Sequence, residues 1–295
     1  METKLLGIGS GLLDRLAYVP EDFVASIEGE KGGMELIDKN QMEALLARLD
    51  KPTERAPGGS AANAVVGFAQ LGGNAAFLTK MGEDEEGKFY QEAMQNAGVD
   101  TAKCKINPAE PTGTCLSFIT PDAQRTMRTF LGAAATLAPE DITATDLKDV
   151  THLYLEGYLL FNRELLQHIL QTAKEAGCKV SIDLAAPEVV EGAMDILPEW
   201  LEKYVDIVLS NEDEAAVFSN ERDEEKALRC LGSYCETAVV KAGPRGAYIG
   251  NGDEHVQVDA LRVEAHDTTG AGDLWGAGFV YGLTHGLAVQ DAGRL

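Results

Sequence analysis

Lys179-Val-Ser-Ile-Asp183, Asp206-Ile-Val-Leu-Ser210 and Thr237-Ala-Val-Val-Lys241 are short apolar runs separated by stretches of helical spacing, and His152-Leu-Tyr-Leu155 opens the series. Near-continuous apolar runs read as strands buried on both faces. Their regular exchange with helices predicts an α/β fold: a central, mostly parallel sheet with helices on both faces. In the first half, Leu5-Leu-Gly-Ile-Gly9 supplies a strand closed by Ser10-Gly11. Pro57-Gly58-Gly59-Ser60 opens an Ala/Val/Phe-rich helix over 60–71, with Ser60 as its N-cap. A strand at 75–79 and a helix at 85–96, stopped by Gly98, follow. Residues 114–120 and 125–130 alternate in polarity around Pro121-Asp-Ala-Gln124, a hairpin signature. The glycine-rich, charged excursion at 22–33 and this hairpin predict a small β lid, formed mainly by about 12–40 and 112–131, on one domain spanning 1–295.

The chain has 295 residues, 45% of them hydrophobic, enough for one continuous core. Its 48 acidic and 25 basic residues leave a net charge of −23, which argues against nucleic acid or an anionic membrane as partner. Apolar runs fall far short of the ~20 residues that span a bilayer. The amino terminus lacks the long apolar stretch of a secretory signal. Five scattered cysteines (Cys104, Cys115, Cys178, Cys230, Cys235) form no Cys-x-x-Cys pair and read as reduced thiols of a cytoplasmic protein. Five histidines without paired spacing give no metal site.

Asp267-Thr-Thr-Gly270-Ala271-Gly272-Asp273 runs straight into the apolar stretch Leu274-Trp-Gly-Ala-Gly-Phe. A glycine-dense turn opening a helix points several N–H groups at one spot, where the helix dipole favours negative charge. Asp273, in the first turn, stands beside that anion hole. There a carboxylate can take the proton of an attacking hydroxyl; a plain helix cap explains the spacing equally well. No Gly-x4-Gly-Lys-Ser/Thr exists, and Gly7-x-Gly9 is followed by Leu12 where a dinucleotide fingerprint needs glycine.

Other candidates are ambiguous singly. Gly58-Gly59-Ser60-Ala-Ala-Asn63 permits close ligand approach plus an amide for hydroxyl groups, or is an ordinary helix start. Asp14, just after the first strand, could accept hydroxyl hydrogen bonds or be a loop acid. Asn211-Glu-Asp-Glu214 follows a strand at the end where open α/β sheets hold ligands, and Asn211 and Glu214 could both face a hydrated Mg²⁺. Acids in a first turn also suit the helix dipole. Lys241-Ala-Gly243-Pro-Arg-Gly246 could bring backbone to a nucleotide or be a β-turn. Arg125 and Arg128 stand out on the lid hairpin and could meet substrate or phosphate.

In this order, the motifs closely resemble the ribokinase-like, phosphofructokinase-B type family of carbohydrate and nucleoside kinases. Gly58-Gly-Ser-Ala-Ala-Asn63 through Gly72-Gly73 looks like the family's first signature and Asp267 to Asp273 its second, while Asn211-x-x-Glu214 is similar to its Asn-x-x-Glu. The resemblance implies ATP and Mg²⁺, with a monovalent cation as a further candidate. It makes Asp273 the base and Gly270, Ala271 and Gly272 the anion hole. Asn211 and Glu214 would organise Mg²⁺ through water, and Lys241, Gly243, Gly246 and Thr269 would lie along the nucleotide. Asp14, Gly58, Gly59 and Asn63 would hold ribose-type hydroxyls.

Pro111-Thr-Gly-Thr-Cys115 and Gly9-Ser-Gly-Leu-Leu-Asp14 resemble the adenosine-kinase branch, whose apolar and aromatic side chains sandwich a purine. Leu16, Phe130, Tyr158 and Leu159 are the candidates here, whereas Arg125-Thr-Met-Arg128 departs from the eukaryotic adenosine kinases and its arginines could instead serve an anionic sugar. The resemblance thus implies phosphorylation of a ribonucleoside, adenosine first. The alternatives are a sugar (ribose, fructose or 2-keto-3-deoxygluconate type) or a sensor without turnover. Relatives also imply a homodimer through the lid. The family runs one or two helices beyond the Asp273 helix, whereas this sequence stops at Leu295. Either those helices belong to a part of the chain beyond Leu295, or the nucleotide site is less complete than usual, which bears on ATP affinity more than on the chemistry.

Overall fold

Alternate residues of the central strands enter different cores. Val208 packs on one side of the sheet while Ile207 and Leu209 pack on the other, and Val239 is separated in the same way from Ala238 and Val240. This is the period-two geometry of strands covered on both faces. A computed structural model describes residues 4–263, 268 and 270–295. Among the described residues a nine-stranded sheet runs Glu254–Val258, Ala247–Asn251, Thr237–Lys241, Ile207–Asn211, Lys179–Asp183, His152–Glu156, Lys4–Ile8, Asn74–Leu78, Val99–Asp100. Pairing is parallel throughout except at the first two strands, an antiparallel edge beyond the last strand anticipated from sequence.

Ser60–Gln70, Glu85–Asn96 and Ala271–Thr284 cover one face; Arg163–Ala176 and the helices from Pro187–Ala193 to Glu224–Gly232 cover the other. Arg163–Ala176 shows why these segments are helical. Leu165, Leu166, Ile169, Leu170 and Ala173 recur at the spacing of one helical stripe and are all buried. Asn162 caps the start by accepting from the Leu165 N–H at 3.2 Å, and Gly177, at φ 72°, ends the helix. Each fully buried Leu or Ile contributes roughly 1.5–3 kcal/mol.

A second, smaller sheet, the one expected from the sequence to be a lid and called so below, has five strands in the order Met34–Leu36, Arg125–Phe130, Gly113–Ile119, Leu12–Tyr18, Glu54–Gly58. It reaches past residue 40, because Glu54–Gly58 pairs antiparallel with Leu12–Tyr18 and sets Ala56 opposite Asp14. One face of this sheet, with Ala17, Leu116 and Phe118, packs against Val24 and Met42 of the short helices Glu21–Ala25 and Lys39–Ala47. The other face carries Asp14 and Leu16, Cys115 and Ser117, and Arg125, Met127 and Thr129 in matched register. No helix among the described residues is long and apolar enough to cross a membrane.

Candidate active site

Four adjacent parallel strands end in Lys241, Asn211, Asp183 and Glu156, in that order across the sheet, and the next, Lys4–Ile8, runs into Gly9 and Ser10. Carboxyl ends of parallel strands are where open α/β sheets receive ligands. The helices Ser60–Gln70 and Ala271–Thr284 both begin there, packed so tightly that a Cβ on Gly67 would lie 2.9 Å from the Leu274 side chain.

Asp273 is the centre of this arrangement. Its Oδ1 accepts from Ser60 Oγ at 2.8 Å and its Oδ2 from Asn63 Nδ2 at 2.9 Å. Ser60 is therefore not the N-cap; Gly59, at φ 104°, holds that position, and the serine hydroxyl crosses to the second helix. Burial raises the Asp273 carboxyl above its ordinary value; the Asn63 and Ser60 donors and Lys241 oppose this. Gly270, at φ 71°, caps Asp273's own helix. Of the three residues expected to form an anion hole, Gly270, Ala271 and Gly272, the Ala271 N–H is already engaged by the Thr268 carbonyl at 3.1 Å. Asp267 and Thr269 lie outside the described residues.

Two acids that the motif reading passed over stand beside it. Glu156, 1% exposed, accepts from the Ser10 N–H at 2.7 Å, and burial pushes its carboxyl up to about 7 against the pull of that bond. Asp183 accepts from Tyr154 Oη at 3.2 Å and from Lys241 Nζ at 2.6 Å. Both are the last residue of an apolar parallel strand, and that position was the available signal.

From the lid, Asp14 faces the same region; burial pushes it up to about 6, with the Arg125 guanidinium pulling back. Gly58 lies against it, since a Cβ there would come within 2.4 Å of the Asp14 carboxyl. Tyr158 and Leu159 follow Glu156 in the short turn Gly157–Phe161. Tyr158 is half-buried and its phenol is pushed up to about 12, by burial and then by Glu156.

Arg128 and Phe130 are elsewhere. Strand alternation places them on the opposite lid face from Asp14. Arg128, 2% exposed, donates from Nη1 to the Met127 carbonyl at 2.8 Å and from Nε to the Glu28 carbonyl at 3.1 Å, and Phe130 packs with the Leu116–Phe118 cluster. Arg128 braces this sheet from behind, and Phe130 lies on the face away from Asp14 rather than beside it. Arg125 and Met127, one residue out of phase, take the inner face.

Asn211 and Glu214 form a capping box: Glu214 accepts from the Asn211 N–H at 2.8 Å and from Nδ2 at 2.7 Å. Burial, then Asp183, pushes the Glu214 carboxyl up to about 7. Asn211 and Lys241 are directly paired across their strands. Gly243 and Gly246 sit in the turn joining Thr237–Lys241 to the antiparallel strand Ala247–Asn251.

This combination of a helix-borne acid, a glycine-capped N-terminus and a row of strand-end polar groups extends over most of the chain, and residues 35–295 match the profile of the pfkB family carbohydrate kinases. The chain belongs to that family. This kinase superposes on the adenosine kinase from Sinorhizobium meliloti with a TM-score of 0.90 and 31% identity, covering 100% of this chain and 91% of that one. It is 29% identical over 230 residues to an uncharacterized sugar kinase from Archaeoglobus fulgidus, covering 78% of this chain and 91% of that protein. Over 242 residues it is 28% identical to the aminoimidazole riboside kinase of Salmonella typhimurium, covering 78% and 74%. It is an ATP-dependent phosphotransferase with an alcohol acceptor.

The family implies Mg²⁺ with the ATP. Both Glu214 oxygens are engaged by Asn211, each keeping one lone pair. Among the described residues no three His, Cys, Asp or Glu side chains form a metal-holding group. These donors fit Mg²⁺ held by phosphates and water rather than by an all-protein cage.

Proposed function

We propose that this kinase transfers the γ-phosphoryl group of ATP to the primary hydroxyl of a ribonucleoside, adenosine first. The observation that carries the chemistry is Asp273, held by Ser60 and Asn63 at the N-terminus of Ala271–Thr284. Those two donors fix the carboxylate while leaving lone pairs to accept the acceptor's proton. The alcohol oxygen then forms its bond to phosphorus as the bond to the ADP oxygen breaks. Gly270 and Gly272 present N–H groups to the transferring oxygens where the helix dipole adds positive potential. Mg²⁺, when bound with ATP, neutralises phosphate charge, and Asn211 and Glu214 would orient its waters. In this reading Asp14, Glu156 and Asn63 would accept from or donate to ring hydroxyls, and Gly58 and Gly59 would let the substrate approach.

A nucleoside is favoured by the inner lid face, where Leu16 and Met127 stand in one register row next to the Asp14 row and offer an apolar roof. The likeness to the Sinorhizobium meliloti adenosine kinase supports the same reading. Arg125 on that face favours an anionic sugar as the second reading. ADP release is measured with Mg-ATP against adenosine, other ribonucleosides, ribose, fructose and 2-keto-3-deoxygluconate. Turnover fastest on adenosine supports the first reading, and turnover on sugars alone overturns it. Ligand binding with no turnover on any acceptor indicates a sensor.

Tyr18, Met34 and Leu36, exposed on the same lid face, are where a second copy would dock, and sedimentation at several concentrations tests the homodimer. Repeating the assay in K⁺ and in its absence tests for a monovalent cation.

A further inference from the structure

Lys241 and Asp183 end strands that are not neighbours: Ile207–Asn211 runs between them. Two strand spacings are about 10 Å, so the Lys241 side chain reaches across Asn211 to place Nζ 2.6 Å from Asp183 Oδ2. Tyr154 Oη donates to the same oxygen at 3.2 Å and fixes the carboxylate. The ammonium thereby arrives at the start of Ala271–Thr284, 3.4 Å from where a Cβ on Gly272 would be. A helix N-terminus is the positive end of its dipole and repels a cation. Two positive groups facing one spot make a site for an anion, and the anion of this reaction is the phosphoryl group. The engagement of the Ala271 N–H by Thr268 leaves the amides fewer and the added charge more useful.

We propose that Lys241 is a catalytic residue that supplies a fixed positive charge to the transferring phosphoryl group, with Asp183 as the positioning residue that aims it. The proposal rests on the phosphotransfer reading above. Lys241 neither gives nor takes a proton: one ammonium N–H goes to Asp183 and the others face the phosphoryl oxygens, while the acceptor's proton goes to Asp273. The bland alternative is that Lys241 only neutralises Asp183, which is 3% exposed. The two differ in what happens when both partners are removed, because deleting a whole buried ion pair is often neutral for folding whereas deleting half leaves an unpaired charge.

The test compares wild type, Lys241→Met, Asp183→Asn and the double variant. Readouts are kcat, acceptor KM, and the gain in melting temperature from MgADP with aluminium fluoride over MgADP alone, the fluoride standing in for the phosphoryl in flight. Lys241→Met is expected to lower kcat about 10²–10³-fold with acceptor KM little changed, and to abolish the fluoride gain. Asp183→Asn costs up to about 10²-fold through misplacement. The double variant is no slower than Lys241→Met, because Asp183 acts only through the lysine. It also keeps the test decisive where the single variants fold poorly. A double variant with wild-type kcat, or a fluoride gain that survives Lys241→Met, overturns the proposal and leaves the kinase reading standing. Wild type without turnover on any acceptor and without a fluoride gain overturns both.

Discussion

At the scale of single residues the site is a competition between burial and hydrogen bonding. Burial raises Asp273, and the donors Asn63 and Ser60 restrain that rise. Asp273→Asn keeps the shape and both packing partners but cannot accept the proton, so kcat should fall about 10²–10⁴-fold with acceptor affinity nearly unchanged. Removing a donor acts differently. Asn63→Ala withdraws a bond to the charged form, so the Asp273 pKa rises further and the acid limb of the kcat profile moves to higher pH. An acid limb that stays in place in Asn63→Ala would show that the limb belongs to another group. The place of Asp273 at a glycine-capped helix start was legible in the sequence because that turn is local. Asp183 and Glu156 were not: each is an ordinary strand-ending acid until the sheet order sets it beside Asp273.

At the scale of elements, the helix Glu85–Asn96 holds the lid. Its N-cap, Asp84, accepts from the Gly87 N–H at 2.8 Å and also from the Thr112 N–H at 2.8 Å and hydroxyl at 2.6 Å, where the chain enters the lid strand Gly113–Ile119. Two residues on, in the first turn, Glu86 pairs with Arg15 and, at 3.1 Å, Arg55, both on lid strands. Tyr90 Oη donates to the Gly58 carbonyl at 2.9 Å. One helix start thus fixes two crossings between body and lid. Asp84→Ala should destabilise by about 1–3 kcal/mol, losing the cap and stranding Thr112. It should also raise acceptor KM and lower kcat together, as hinge changes do. A melting shift with unchanged kinetics would confine Asp84 to stability.

The lid also shows where sequence reading runs out. The alternation of Arg125-Thr-Met-Arg-Thr-Phe130 gives two faces but not which one is inside. Val24 and Met42, from helices distant in sequence, cover the Arg128–Phe130 face and turn Arg125 and Met127 toward Asp14. The second of those helices was within reach, since Asp38-x-x-Gln41 is a capping box.

At the scale of the molecule, three site carboxyls sit far above their ordinary values: Asp14 at about 6 against 3.8, and Glu156 and Glu214 at about 7 against 4.5. Burial is the first cause in each. Between the unfolded and folded values the folded chain binds more protons than the unfolded one, so stability falls as pH rises from about 4 to 7. For Glu156 alone the loss is on the order of 3 kcal/mol. The net charge of −23 works in the same direction through general repulsion. Salt separates the two, because it screens exposed charges strongly and buried ones little. The ligand-free protein should melt lower at pH 8 than at pH 5, retain part of that difference in high salt, and show a smaller difference as Glu156→Gln. A difference that vanishes in salt and is the same in both proteins would assign it to surface charge. Hydroxyl groups donating to Asp14 and Glu156 favour the ionised forms, so the acceptor should stabilise the protein more at pH 8 than at pH 5, and the site's own strain becomes binding selectivity.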